Sequence, residues 1–360
     1  MKRVLCVISN MNAGGAETFL MKIYRKIDRS KYQMDFCINA KEKCFYEDEI
    51  IDMGGMVYRI PPKSEGIGAF KRALAKIVRE NGYRYVLRIT SNAMGFLDLK
   101  IAKESGAEVC VARSSNSSDG DSIKAKIAHR LGRALYEKYV DVKIAPSDLA
   151  AKYTFGDASD VHILHNALDL SVYHYKEEGR AKIRKAYGIS PEDIVVGHIG
   201  RFSPQKNHMF LLQVFSELHQ RNNACKLLLV GKGELEDAIR KRVKDLQLED
   251  AVLFSGVRED IPDVFSAMDV FLFPSLYEGM PNTVIEAQAT GLPVVLADTI
   301  TKEADITGLL EYRSLAEPAD DWAKAVISRL HIARTDHTED FIDNRYDIQS
   351  VVEQFITLVF

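Results

Sequence analysis

A chain of 360 residues exceeds what one hydrophobic core usually holds, so two domains are expected, and 46% hydrophobic content excludes a disordered chain. No apolar run approaches the roughly 20 residues of a membrane span, and five cysteines (Cys6, Cys37, Cys44, Cys110, Cys225), odd in number and without a C-x-x-C pair, argue for a reduced cytoplasmic protein over a disulfide scaffold or zinc site. The net charge of -3 hides a basic half and an acidic half: residues 1–165 carry 27 Lys and Arg against 20 Asp and Glu, residues 166–360 carry 21 against 31, and the lack of basic stripes with interleaved aromatics argues against nucleic-acid binding.

The start, MKRVLCVIS, has an apolar run too short for a signal peptide and reads as a first strand. The stretch NMNAGGAETFL follows it, with Gly14 and Gly15 ahead of a helix. Glycines let a ligand approach the backbone, and a helix start offers N–H groups to a phosphate. A tight strand-to-helix turn explains the glycines equally well. Thr18 stands where a dinucleotide fingerprint has its third glycine, so that motif is absent. Further strands are expected in QMDFCIN, GMVYRI, YRYVLRIT, AEVCVARS and VDVKIAPS, with helices in ETFLMKIYRKID and FKRALAKIVREN between them. That alternation predicts a parallel sheet covered by helices. The stretch 122–140 reads as a basic amphipathic helix carrying Lys124, Lys126, Arg130, Arg133 and Lys138. Such helices lie on anionic membrane surfaces, although a helix covering the core with its charges in water fits as well.

After the polar turn of HNALDLSVY and the charged helix in YKEEGRAKIRKAYGISPED, the pattern restarts. DIVVGHIG, CKLLLVGKG, AVLFSGV, DVFLFPS and LPVVLAD are expected strands, and NHMFLLQVFSELHQR and ELEDAIRKRVKDL expected helices. Two such series predict an α/β chain of two doubly wound domains, residues 1–165 and 166–342. The apolar helix at 343–360 is expected to pack back on the first domain. Ligands of open parallel sheets bind beyond the carboxyl ends of strands, and the polar motifs fall there. GRFSPQKNH puts Arg201 and Lys206 in one loop at a helix start, a place for a polyanion. Gly231 follows the next strand and could shape a base or phosphate pocket or merely a turn. In LYEGMPNTVIEAQATGLPVV, Glu278 and Glu286 flank a helix start at Pro281 and Asn282. N–H groups around Asn282, Thr283 and Val284 suit an anion, and carboxylates accept hydrogen bonds from hydroxyls. Hydroxyls, a diphosphate and more hydroxyls describe a nucleotide-sugar.

Together GGAE, GRFSPQKN and EGMPNTVIE resemble the retaining nucleotide-sugar glycosyltransferases of the two-Rossmann-domain, GT-B type. These form glycosyltransferase family 4 (group 1), which includes sucrose synthase and bacterial mannosyltransferases. The resemblance covers nearly the whole chain. It is most specific in the Arg-x4-Lys and Glu-x7-Glu pairs, and PVVLADTITKEADITGLLEY is similar to the capsular and exopolysaccharide subgroup. It implies two domains facing each other across a cleft, the first binding acceptor and the second donor. Arg201 and Lys206 would hold the donor diphosphate, Glu286 the ribose and Glu278 the sugar hydroxyls near the anomeric carbon. The backbone of Gly279, Met280, Pro281, Asn282, Thr283 and Val284 would meet sugar and phosphate, with Gly14 and Gly15 beside the diphosphate. Transfer would proceed with retention and without a metal or other cofactor. The donor would be a UDP-sugar and the acceptor a lipid-linked or other glycan, at the inner face of the plasma membrane. Where many members carry a catalytic histidine, the resemblance puts Arg113 at the matching position here, with Asn116 or Ser114 as the alternatives for lining the same space. An arginine does not accept a proton as imidazole does. It marks the main rival reading, a sugar-nucleotide-binding subunit without catalysis. A nucleotide-sugar epimerase shares the architecture and is the other rival.

Overall fold

The apolar runs become strands because both faces of each sheet are covered, which rewards Val, Ile and Leu at every position. The structure is a computed structural model describing residues 1–115 and 123–360. It divides into two compact units, Met1–Ala167 with Arg345–Phe360, and Leu168–Asn344.

The first unit holds seven parallel strands: β1 (Lys2–Val7), β2 (Tyr32–Ile38), β3 (Val57–Arg59), β4 (Tyr85–Thr90), β5 (Val109–Ser114), β6 (Val142–Ala145) and β7 (Val161–Ile163). Their order is β3-β2-β1-β4-β5-β6-β7, and Cys6 of β1 is paired with Phe36 on one side and Leu87 on the other. The terminal helix Ile348–Val359 completes this unit. Asp347 caps it by accepting from the Ser350 N–H at 2.9 Å, and Val351, Val352, Phe355 and Val359 enter the same core as Phe19, Val111 and Ile144.

The second unit holds six: β8 (Ile194–Ile199), β9 (Cys225–Val230), β10 (Val252–Gly256), β11 (Val270–Phe273), β12 (Val294–Ala297) and β13 (Leu310–Arg313). The order is β10-β9-β8-β11-β12-β13, all parallel. Each sheet therefore reverses its winding once, between β1 and β4 and between β8 and β11. Loops leaving two such strands diverge to opposite faces and leave a crevice at the carboxyl edge. Strand β13 does not stand out in the sequence: of LEYR only Leu310 is buried, so neither a continuous apolar run nor a full alternation marks it.

Candidate functional site

The carboxyl ends of β8 and β11 are neighbours, with Val196 and Gly197 paired to Val270 and Phe271. Beyond β8 the chain runs through Gly200 and a short 3-10 turn, Pro204–Lys206. It then enters the helix His208–Arg221 through Asn207, whose φ of 53° is left-handed. Asn tolerates that conformation better than most residues. Two hydrogen bonds tie this turn to the loop after β11: the Leu276 N–H donates to the Gln205 carbonyl at 2.8 Å, and Gln205 Nε2 donates to the Tyr277 carbonyl at 2.9 Å. Across the tie, Lys206 Nζ lies 2.6 Å from Glu278 Oε1 and 4.7 Å from the centre of the Phe273 ring. Both side chains are largely covered, 15% and 11% exposed. Arg201 behaves differently. It is 74% exposed and pairs with Glu234 at 3.1 Å.

Behind Lys206 lie two buried imidazoles, His198 and His208, with ring centres 4.8 Å apart. His198 Nδ1 meets the Leu272 carbonyl at 2.9 Å, which makes it the protonated nitrogen, while His198 Nε2 and both nitrogens of His208 find no partner among the described residues. Burial, with the cation of Lys206 adding to it, pushes His208 down to about 4; burial and the neighbouring His208 push His198 well below the usual imidazole range. Both rings are neutral at pH 7. Ser275, after β11, is also fully buried with its hydroxyl unpartnered among the described residues.

The helix Asn282–Ala289 starts after Pro281 as expected. Its Val284 N–H, however, donates to the Pro281 carbonyl at 3.0 Å, as does that of Ile285 at 3.2 Å. The expected set of ligand-facing donors is corrected accordingly: Val284 is spent on the helix's own first turn. Its side chain is fully buried, whereas Gly279, Met280, Asn282 and Thr283 are half-buried around the turn. Glu286 is the fifth residue of this helix and so lies in its second turn, where the dipole contributes little. A different residue engages it: the Tyr173 hydroxyl hydrogen-bonds to Glu286, and burial together with that carboxylate raises the phenol well above its usual range. Tyr173 belongs to HNALDLSVY, whose asparagine and aspartate marked a turn but gave no sign of its aromatic residue.

Gly231 has a packing reason. At its φ of +136° an added Cβ would lie 2.1 Å from the Gly200 carbonyl oxygen, so only glycine lets the loop after β9 approach the loop after β8.

In the first unit, Gly14 and Gly15 open the helix Gly15–Lys26, and a Cβ on Gly15 would point into open space. Arg113, at the end of β5, is 1% exposed; its guanidinium lies 3.6 Å from the centre of the Phe19 ring on that same helix, and Nη2 donates to Asn166 Oδ1 at 2.9 Å. Burial lowers it to about 9, which still leaves it charged at neutral pH. Arg113 thus forms a buried bracket between β5, the glycine-led helix and Asn166. Ser114 is buried too, its hydroxyl 2.6 Å from that of Thr154. Asn116 lies outside the described residues. Among the described residues no group of three His, Cys, Asp or Glu side chains is placed to hold a metal, and no helix is long and apolar enough to cross a membrane.

Comparison with known proteins places the chain in a family. Residues 193–331 match the family described as Glycosyl transferases group 1. A Bacillus subtilis protein that carries the glycosyltransferase name EpsF is 35% identical over 334 residues, 90% of this chain and 87% of that one. The chain belongs to the group 1 glycosyltransferases. This glycosyltransferase also shares 30% identity over 154 residues with the Escherichia coli UDP-Gal:alpha-D-GlcNAc-diphosphoundecaprenol alpha-1,3-galactosyltransferase, 42% of this chain and 40% of that enzyme. The crystal structure of Anabaena HepE in complex with UDP and glucose matches the glycosyltransferase with a TM-score of 0.78 and 20% identity, covering 99% of each chain. That likeness carries the fold, GT-B.

Proposed function

We propose that this glycosyltransferase moves a sugar, with retention, from a UDP-sugar to a lipid-linked glycan during synthesis of a bacterial surface polysaccharide. The observation that carries the reading is the convergence of Lys206 and Glu278 at the ends of β8 and β11. A cation and a carboxylate, both largely shielded from water, there serve a ligand that is anionic at one end and rich in hydroxyls at the other. The name of the Escherichia coli relative, with its UDP donor and diphospholipid acceptor, supports both ends of the proposal.

In this reading Lys206 meets the donor diphosphate and offsets the charge that grows as the leaving group departs. Arg201, exposed and paired with Glu234, swings onto the same phosphates. Glu286, with Tyr173 setting its orientation, accepts from the ribose hydroxyls, and Glu278 accepts from the sugar. Within the first unit, Arg113 positions the glycine-led helix through Phe19. Charge stabilisation then comes from side chains and helix ends, with no metal or cofactor required.

The test is a thermal-shift screen of nucleoside diphosphates and their sugars. UDP and one UDP-sugar are expected to raise the melting temperature, and Lys206→Ala and Glu286→Ala each to abolish the shift. Absence of a shift with every nucleotide would refute the reading. Binding without transfer or donor hydrolysis would favour the non-catalytic subunit, for which the buried Arg113 is the one supporting observation.

A further inference from the structure

The helix Ile123–Tyr136 wears its apolar stripe on the outside. Ile127, Leu131 and Leu135 stand at i, i+4 and i+8, and each is 54% exposed. That spacing puts them on one face of a helix. The opposite face is fixed by contacts that leave no freedom to turn it over. A Cβ on Gly132 would come within 2.7 Å of the Ala93 carbonyl, so the helix backbone lies directly on the residues after β4. His129 is buried beside it. Its Nδ1 accepts from the Ala93 N–H at 3.1 Å, so Nε2 carries the hydrogen and donates to the Tyr153 carbonyl at 2.9 Å. Rotation that hid the stripe would break both bonds and drive Gly132 away.

The surroundings of the stripe identify what covers it. Lys126, Arg130 and Lys138 are exposed near it, while Arg133 turns inward against Gly156. Residues 123–136 contain no acid. A second copy of the chain would bring these cations face to face. Three side chains also fall far short of the roughly 1,200 Å² that a stable protein interface buries. An anionic lipid surface answers the cations and takes the apolar side chains below its headgroups.

We propose that this helix is the membrane-docking element of the enzyme, with Ile127, Leu131 and Leu135 entering the headgroup layer of an anionic bilayer and Lys126 and Arg130 meeting its phosphates. The role of such docking, delivery of the enzyme to its acceptor, rests on the lipid-linked acceptor proposed above.

The experiment is co-sedimentation of the full chain with vesicles of phosphatidylcholine alone or mixed in equal parts with phosphatidylglycerol. Binding is expected on the mixed vesicles and to weaken with salt. The triple variant I127S/L131S/L135S should bind them about tenfold more weakly or worse. Leu131→Trp reports insertion directly, because the one native tryptophan, Trp322, is fully buried in the other unit; its added emission should shift to the blue on mixed vesicles. Unchanged binding of the triple variant, or no blue shift, would overturn the proposal. So would a dimer in sedimentation velocity that the triple variant abolishes. The UDP thermal shift separates the two readings: the triple variant should keep it, and its absence in the parent chain would count against the donor assignment alone.

Discussion

Lys206 has two claims on its ammonium: Glu278 at 2.6 Å in the structure, and the diphosphate proposed for the donor. The two compete, which gives a prediction of opposite signs. Glu278→Gln removes the resident counter-charge, so UDP should bind a few-fold more tightly. Transfer should slow by about 100-fold, the scale expected when one group facing the reacting centre is lost. Calorimetry with UDP and a steady-state transfer assay read the two effects; weaker UDP binding would mean that Glu278 holds Lys206 in place for the phosphate. His208 yields a second prediction at this scale. Its folded value is about 4, whereas an unfolded imidazole titrates near ~6.5. Between those values the unfolded chain takes up a proton that the folded chain refuses. Stability is therefore full above pH ~6.5 and falls as pH drops towards 4, by about 3 kcal/mol from this group alone. His198 acts in the same direction. Melting temperatures between pH 7 and 5 should fall more steeply for the parent than for His208→Phe, which keeps an aromatic ring against Phe202, whose ring centre lies 4.8 Å from that of His208; parallel profiles would show that the imidazole charges inside the fold.

Elements covered on both faces announce themselves in the sequence: in β8, β9 and β11 residue after residue is buried, and each strand reads as a nearly unbroken apolar run. Their carboxyl ends could thus be found without coordinates, and with them the loops of Arg201, Lys206, Glu278 and Glu286. What those loops do to one another was not legible. Lys206 meets Glu278 because β8 and β11 are adjacent, a pairing that bridges 72 positions of chain. The bond from Tyr173 to Glu286 likewise depends on how a loop folds back on a helix. Gly231 shows the opposite case, where a residue singled out for a ligand has a sufficient explanation in the packing of two loops. Gly231→Ala should consequently destabilise the second unit by about 2–4 kcal/mol, combining a φ of +136° with a Cβ 2.1 Å from the Gly200 carbonyl. Urea unfolding followed by Trp322 emission reads this directly. A change below about 0.5 kcal/mol, usual for surface substitutions, would show that the loop simply moves aside.

At the scale of the whole chain the terminal helix links the two ends of the sequence. Lys2 Nζ donates to the Phe360 carbonyl at 2.6 Å, and the Phe360 ring packs on Tyr32 and Tyr85 at 4.8 and 5.7 Å. An apolar last turn in the sequence required a partner; which sheet supplies it follows only from the fold. Val351, Val352, Phe355 and Val359 are 0–3% exposed in the first unit's core. At about 1.5–3 kcal/mol each, these four side chains contribute on the order of 6–12 kcal/mol. A whole domain is stable by only about 5–15 kcal/mol. A chain ending at Asn344 should therefore leave residues 1–167 unfolded while Leu168–Asn344, whose core contains none of the four, stays folded. Trp322 makes the two outcomes separable, because it lies in the second unit's core with its Nε1 donating to the Ser314 carbonyl at 2.9 Å. In the truncated chain its emission should stay at the buried wavelength and melt on its own, while amide exchange in β1, β4 and β5 becomes fast. The UDP thermal shift should persist in weakened form, since Lys206, Glu278 and Glu286 all lie in the second unit. If Trp322 becomes exposed along with β1, the two units fold as one cooperative block, and the terminal helix stabilises the entire enzyme.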